Sequence, residues 1–364
     1  MKKHILKKYK SALSVKKGVE NISNINKKSV SEFKRNKRPL LSAKDYFEGI
    51  KKGDISLLSR AITVVESSKT EHQKTAKELI SLCLPLSGNS VRIGVTGVPG
   101  AGKSSLIETL GLYFLRRGGK VAVLAVDPSS SKSGGSILGD KTRMEKLSAE
   151  KNAFIRPSPS GGTLGGVARK TAETIILCEA AGFDTIFVET VGVGQSEITV
   201  KSMVDFFMLV LISGAGDELQ GIKRGITETA DLIIINKADG DNKIKAERAK
   251  SEYANALHLF PPPESGVKPE VVTASALTGE GIPEIYDLLQ NYLKYTKIDG
   301  YFFENRINQA KFRMYDTVNE ILKNNFYSNE KVKEKIKEYE ILIKSGKINP
   351  YEAAENLTEM YFRS

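Results

Sequence analysis

Hydrophobic and polar positions change rhythm three times along the 364-residue chain. Residues 1–40 hold few large apolar side chains among many Lys, Ser and Asn. Such a stretch buries too little surface to order itself, so a solvated arm is expected. From residue 43 to 85 apolar positions recur at helical spacing. Leu57, Leu58, Ala61, Ile62 and Val65 form one stripe, and Ala76, Leu79, Ile80 and Cys83 a second. Gly53-Asp54 punctuates ahead of the first stripe. From residue 91 short β-branched runs alternate with helical stretches. The runs are Val91–Thr96, Lys120–Val126, Thr185–Glu189, Phe206–Ile212, Leu232–Ile235 and Val271–Thr273. Several are apolar at consecutive positions, as a parallel strand buried on both faces is. The alternation predicts an α/β fold, a mostly parallel sheet with helices on both faces and right-handed crossovers. After residue 300 the helical period returns in Phe312, Tyr315, Val318, Ile321 and Leu322. A charged helix over Lys331–Lys344 follows, and Asn349-Pro350 opens a last short one. The expected organisation is an arm at 1–40, a helical extension at 41–87, an α/β domain at 88–297 and a second helical extension at 298–364.

The net charge of +12 belongs almost wholly to the arm. Residues 1–38 hold 13 Lys and Arg against Glu20 and Glu32, a net +11, which leaves the other residues at +1. A basic nucleic-acid face on the folded body is therefore not expected, and the arm lacks the interleaved aromatics that stack bases. Ile5, Leu6, Tyr9 and Leu13 could line one helical face, which leaves organelle targeting or a membrane surface as alternatives to a solvated or partner-binding tail. Lys outnumbers Arg in the arm, unlike most mitochondrial targeting segments. No run of apolar residues is long enough to span a bilayer, so no stable membrane insertion is expected. The only cysteines, Cys83 and Cys178, sit in apolar runs and read as reduced core thiols. The three histidines are scattered, so no metal-delivery tract is present.

The chemistry is concentrated at the carboxyl ends of the expected strands. Gly97-Val98-Pro99-Gly100-Ala101-Gly102-Lys103-Ser104, followed by Ser105, fits the phosphate-binding pattern G-x-x-x-x-G-K-[ST] between a strand and a helix. Its glycines let successive N–H groups turn toward phosphate oxygens, and the helix N-terminus adds positive potential. Lys103 reaches the β- and γ-phosphates, and the Ser104 hydroxyl ligates Mg2+. Asn236-Lys237-Ala238-Asp239 has the N-K-x-D pattern of guanine recognition. The Asp239 carboxylate matches the paired donors of guanine, which adenine lacks, so GTP and GDP are expected over ATP. Asn236 would tie this loop to the phosphate loop, and the Lys237 stem would cover the base. Ser275-Ala276-Leu277 follows the last strand and would aim a backbone amide at the guanine oxygen. Asp127, Asp140 and Glu189 are the acids expected near the γ-phosphate and Mg2+. Glu189-Thr190-Val191-Gly192 stands where the common pattern is D-x-x-G, with the Gly192 amide sensing the γ-phosphate. Gly214–Lys223 forms a polar, glycine-rich loop suited to nucleotide sensing.

These strings together closely resemble the MeaB/ArgK GTPases, the family of the methylmalonic aciduria type A protein. The matching text includes V-D-P-S-S-S from Val126, G-S-I-L-G-D-K-T-R-M from Gly135, F-V-E-T-V-G-V-G-Q-S-E from Phe187 and G-A-G-D-E-L-Q-G-I-K-R-G from Gly214. The likeness spans about residues 45–364 by motif order and leaves out the arm. The absence of tryptophan and the Pro261-Pro262-Pro263 run depart from the family's usual pattern. The resemblance implies a P-loop NTPase fold of the signal-recognition and nickel-chaperone (SIMIBI) GTPase class. It implies slow, partner-stimulated hydrolysis of GTP, with Lys103, Asp127 and Glu189 catalytic and Ser104, Asp127, Asp140 and Glu189 around Mg2+. It further implies a homodimer through the C-terminal extension. The partner would be a B12-dependent methylmalonyl-CoA mutase or related acyl-CoA mutase, protected by the GTPase and supplied with adenosylcobalamin through it. Gly214–Lys223 would be a third switch that reads that mutase. A cytoplasmic location is expected, or the mitochondrial matrix if the arm is a targeting segment. The competing reading is a membrane- or transport-associated GTPase that uses the basic arm.

Overall fold

The structure, a computed structural model, describes residues 40–126, 144–158, 164–190, 196–214 and 224–363. Seven strands make one parallel sheet: β1 (Val91–Gly97), β2 (Val121–Val126), β3 (Ala153–Ser158), β4 (Thr185–Thr190), β5 (Phe206–Ile212), β6 (Leu232–Asn236) and β7 (Glu270–Thr273). Their order is β3-β2-β4-β1-β5-β6-β7, with every neighbouring pair parallel. Helices α1 (Ala43–Lys51), α2 (Ile55–Glu66) and α3 (Thr70–Cys83) precede the sheet. Between strands lie α4 (Lys103–Arg116), α5 (Glu145–Ser148), α6 (Leu164–Ala180), α7 (Ser196–Lys201), α8 (Arg224–Thr229) and α9 (Lys243–Leu257). After it come α10 (Ile282–Asp299), α11 (Tyr301–Ser328), α12 (Glu330–Lys344) and α13 (Pro350–Phe362). All these elements belong to the compact unit Ser42–Ser364. Among the described residues no helix is long and apolar enough to cross a membrane.

Six strands coincide with the apolar runs of the sequence to within one residue at either end. The seventh, β3, is not announced by the pattern. It reads Ala-Phe-Ile-Arg-Pro-Ser, too polar for a central strand, and it lies outermost in the sheet. A proline is tolerated there because an outer strand needs fewer backbone donors. Arg156 of β3 hydrogen-bonds Glu66 and Thr63 of α2, which fastens this edge to the N-terminal helices.

The central strands follow the two-residue period of a sheet covered on both sides. Met208 and Val210 of β5 join Val95, Leu106, Leu110, Phe187 and Leu289 in one core, which α4 and α10 cover. Leu209 and Leu211 point the other way and meet Ile233, Ile235, Ala246 and Tyr253 against α9. The helix ends carry their own signals. Ser42 and Asp45 close a capping box on α1, Asp54 caps α2, and Asn349 caps α13 ahead of Pro350. Cys83 and Cys178 are free and fully buried, and burial pushes the Cys83 thiol up to about 12, so neither is a reactive thiol.

At the amino end of β1 a buried charge cluster pins the C-terminal helices to the sheet. Arg306 of α11 donates from Nε and Nη2 to the two oxygens of Asp205, both at 2.7 Å, and to the carbonyls of Ser90 and Gly88. Asp205 also accepts from the Arg92 amide at 2.9 Å. The Arg92 guanidinium forks onto Glu179 of α6 at 2.9 and 3.1 Å. Glu179 takes two further hydrogen bonds, from the Ser90 hydroxyl and the Gly88 amide. Burial works to raise the Glu179 carboxyl, but the Arg92 charge and these hydrogen bonds outweigh it and hold the group below its ordinary value. The stability it contributes is therefore complete above the unfolded value of 4.5 and is lost as pH falls through the lower folded value.

Replacing one member of such a pair strands the other in a dry site. Arg306→Ala is expected to cost about 3–5 kcal/mol in urea unfolding followed by circular dichroism. A loss below about 1 kcal/mol would mean that the cluster is wet and weakly coupled.

Candidate nucleotide site

In a parallel α/β sheet ligands bind beyond the carboxyl ends of the strands. β1 runs directly into the glycine-rich loop there. Gly97 comes so close to β5 that an added Cβ would lie 2.0 Å from the Val210 carbonyl oxygen. Gly102 has φ +84 and caps the amino end of α4, where the free amides of the first turn meet the loop. The Lys103 side chain is buried. Its Nζ donates to the carbonyl oxygens of Gly97 and Val98 at 2.8 and 3.2 Å, so the ammonium lies across the loop it belongs to. Ser105 sits on the exposed side of the same turn.

The acid side of the site comes from β4, which pairs with β1. Glu189 is buried opposite Val95, and its Oε1 accepts from the Ser104 hydroxyl at 2.8 Å. One residue on, the buried Thr190 hydroxyl donates to the Thr96 hydroxyl at 2.9 Å. The strand that leads to the phosphate loop is thus fastened to the strand that ends in Glu189-Thr190. Ser104 and Glu189 set two hard oxygen donors side by side, a chemistry that suits Mg2+. Asp127, Asp140 and Gly192 lie outside the described residues, as do residues 215–223 of the glycine-rich loop after β5.

The base side is organised around Asn236, 1% exposed at the end of β6. Its Nδ2 donates to the Ala101 carbonyl at 2.7 Å, and its Oδ1 accepts from the Ala276 amide at 3.3 Å. One side chain therefore joins the phosphate loop, the N-K-A-D loop and the S-A-L loop. The buried Ser275 hydroxyl donates to Asp239 and accepts from the Thr278 amide, which fixes the direction of the carboxylate. Lys237 has φ +59, the only positive φ outside glycine among the described residues. Its carbonyl is held by Asn242 Nδ2 at 2.7 Å. The Lys237 and Leu277 side chains are exposed.

The residues read from the sequence thus converge wherever they are described. Supporting side chains outside the sequence motifs' assigned roles complete the frame: Thr96 with Thr190, Asn242, and Thr109 of α4, whose hydroxyl donates to the Ala276 carbonyl at 2.8 Å. Thr190 had a signal, since it lies inside the Phe187–Glu197 string. Thr109 and Asn242 had none.

A parallel sheet, a phosphate loop between β1 and α4, and N-K-x-D and S-A-L loops after β6 and β7 define a P-loop GTPase. Residues 58–331 match the family model described as methylmalonyl-CoA mutase-associated GTPase MeaB. A relative from Caulobacter vibrioides is 50% identical over 305 residues, covering 84% of this chain and 93% of the relative. The mitochondrial methylmalonic aciduria type A homolog of Mus musculus is 43% identical over 325 residues, 86% of this chain and 78% of that protein. The crystal structure titled LAO/AO transport system kinase superposes with a TM-score of 0.72 at 35% identity, over 90% of this chain and 100% of that one. The chain belongs to the MeaB family of GTPases.

Gly102 gives the sharpest steric test of the site. A Cβ there would sit 2.7 Å from Asn236 Nδ2 in a left-handed conformation that alanine disfavours. The loop holds this conformation without nucleotide, so strain of about 1–3 kcal/mol falls on the unliganded protein. Gly102→Ala should therefore lower stability by about that amount in thermal unfolding, and a shift of the loop that relieves the strain should weaken GDP binding in a fluorescent-nucleotide titration.

Proposed function

We propose that this GTPase is a chaperone of a B12-dependent methylmalonyl-CoA mutase or a related acyl-CoA mutase. GTP binding and hydrolysis gate delivery of adenosylcobalamin to the mutase and protect it from inactivation. The observation that carries the reading is the coincidence of a guanine-nucleotide site with a match to the mutase-associated family across residues 58–331. The name of the mouse relative, which refers to methylmalonic aciduria, supports the same client.

In this reading residues 97–105 wrap the phosphates, and Asn236, Lys237, Asp239 and Ser275–Leu277 hold guanine. Lys103 exchanges its two loop carbonyls for β- and γ-phosphate oxygens and neutralises charge as the bond to the leaving phosphate breaks. Ser104 and Glu189, with Asp127 and Asp140, would hold Mg2+, which supplies further positive charge to the phosphates when bound. Glu189 accepts the hydrogen bond from the Ser104 hydroxyl and so keeps that hydroxyl oriented. Thr190 and Thr96 keep the two strand ends in register. Gly192 and the segment Gly214–Lys223 sense nucleotide and client.

Two experiments test the chemistry. Lys103→Ala should lower GTP turnover at saturating nucleotide by at least about 10²-fold, the scale of one lost transition-state contact. Asp239→Asn should shift preference from guanine to xanthine nucleotides in competition against labelled GDP. Equal competition by ATP in the unmodified protein would sink the guanine assignment.

The homodimer belongs to the same proposal. Phe312, Tyr315, Val318, Ile321 and Leu322 make a stripe on α11, and each remains about half exposed in the single chain. A stripe of this length is expected to be buried against a second copy about a two-fold axis. Each large side chain so buried contributes about 1.5–3 kcal/mol. Val318→Asp with Leu322→Asp should therefore give a monomer by light scattering that still binds GDP but has lost stimulation by the mutase. A double variant that stays dimeric would place the interface elsewhere.

A further inference from the structure

The amino end of β1, far from the nucleotide, carries a cavity with unusual lining. It measures about 90 Å³ and lies between α6 and α11. Its polar lining is Arg92, Arg313 and Ser87, and the rest is aliphatic. The Ser87 hydroxyl is already bonded to the Leu84 carbonyl at 2.8 Å. Arg92, whose side chain is only 10% exposed, gives Nε and Nη2 to Glu179, and among the described residues its Nη1 makes no hydrogen bond. Arg313 is half-buried and has no hydrogen bond or ion pair among the described residues. Among the described residues no carboxylate lines the cavity.

The surrounding charges do not cancel at this spot. Three guanidiniums, Arg92, Arg306 and Arg313, share Glu179 and Asp205. Both carboxylates are already engaged, Glu179 by Arg92 and Asp205 by Arg306. Burial, then the Arg92 charge, hold the Arg313 guanidinium below its ordinary value, although Glu179 pulls the other way. A wider chamber of about 280 Å³ shares Ala172, Ile176, Met203 and Arg313 with the first. Its acids are Glu173, paired with Arg169 at 3.0 Å, and Asp316, which makes no ion pair with Arg313. Together the two chambers reach the ~300 Å³ at which small-molecule sites begin.

We infer that the paired chambers between α6 and α11 form a binding site for a small organic oxyanion with a short aliphatic tail. The head group lies between Arg92 and Arg313, and the tail lies along Ala172, Ile176 and Met203. Arg313 and the free edge of Arg92 supply planar donors that match either a carboxylate or a phosphate. The aliphatic walls give the tail an apolar surface and favour a tailed ligand over a hydrated salt ion.

Ligand-observed NMR titrations of the full chain, with and without GDP, test the site. The probes are hexanoate, hexyl phosphate, inorganic phosphate and hexylammonium, the first two separating a carboxylate from a phosphate head. One hexyl anion should saturate, and Arg313→Gln should weaken it by at least about tenfold, the scale of a lost charge-assisted hydrogen bond. Ala172→Leu, which fills the chamber and keeps both arginines, should weaken the same hexyl anion and leave GDP binding unchanged. The inference falls if no hexyl anion saturates by about 10 mM, a range that spans weak small-ligand affinities. It falls equally if hexylammonium binds as well, if inorganic phosphate matches hexyl phosphate, or if Arg313→Gln binds unchanged.

Discussion

A strand covered on both faces can satisfy its backbone only sideways, and β1 is such a strand. It needs β4 on one edge and β5 on the other, and the whole order of the sheet is built outward from that requirement. The consequence reaches both ends of the strand. At the carboxyl end, Gly97 leaves the sheet so close to β5 that only a residue without a side chain can make the turn into the phosphate loop. At the amino end, the unpaired carbonyls of Gly88 and Ser90 need donors, and Arg306 of a helix over two hundred residues later provides them. The nucleotide loop and the C-terminal helices are thus anchored on the same short segment of chain.

The nucleotide site is similarly dependent on one side chain. Asn236 contacts the phosphate loop through its amide and the S-A-L loop through its oxygen. The phosphate loop, the N-K-A-D loop and the S-A-L loop are therefore set in one frame. Ser275 then fixes Asp239 within it. None of these contacts requires a nucleotide to form, so part of the ordering cost of binding has already been met in folding.

Much of this was legible in the chain because central parallel strands announce themselves by unbroken apolar runs, and because loops that meet phosphate or guanine need particular residues. The glycines, Lys103, Ser104, Asn236 and Asp239 are of that kind. What was not legible rests on contacts between distant segments. β3 has the composition of a loop and becomes a strand only because β2 offers it a free edge. Thr109 is an ordinary helix residue by its neighbours and acquires a role only when Ala276 arrives beside it. Arg306 lies in a helix whose stripe directs attention to its apolar side, and nothing nearby in sequence identifies Asp205 as its partner. The stripe itself was visible, but its exposure in the single chain is a tertiary fact.

The outer strand β3 also bears on how such a protein survives at high concentration. The outer edge of a parallel sheet is a row of backbone groups that any passing strand could extend, and growth by that route leads to fibrous aggregates. β3 is short, carries a proline that can offer no amide at that position, and has its arginine drawn onto Glu66 of α2. At the opposite end of the order, β7 spans four residues and begins with an exposed glutamate. Both rims of the sheet are thus poor templates for strand addition, and the same irregularity that hides β3 from its sequence pattern makes it a poor edge to extend.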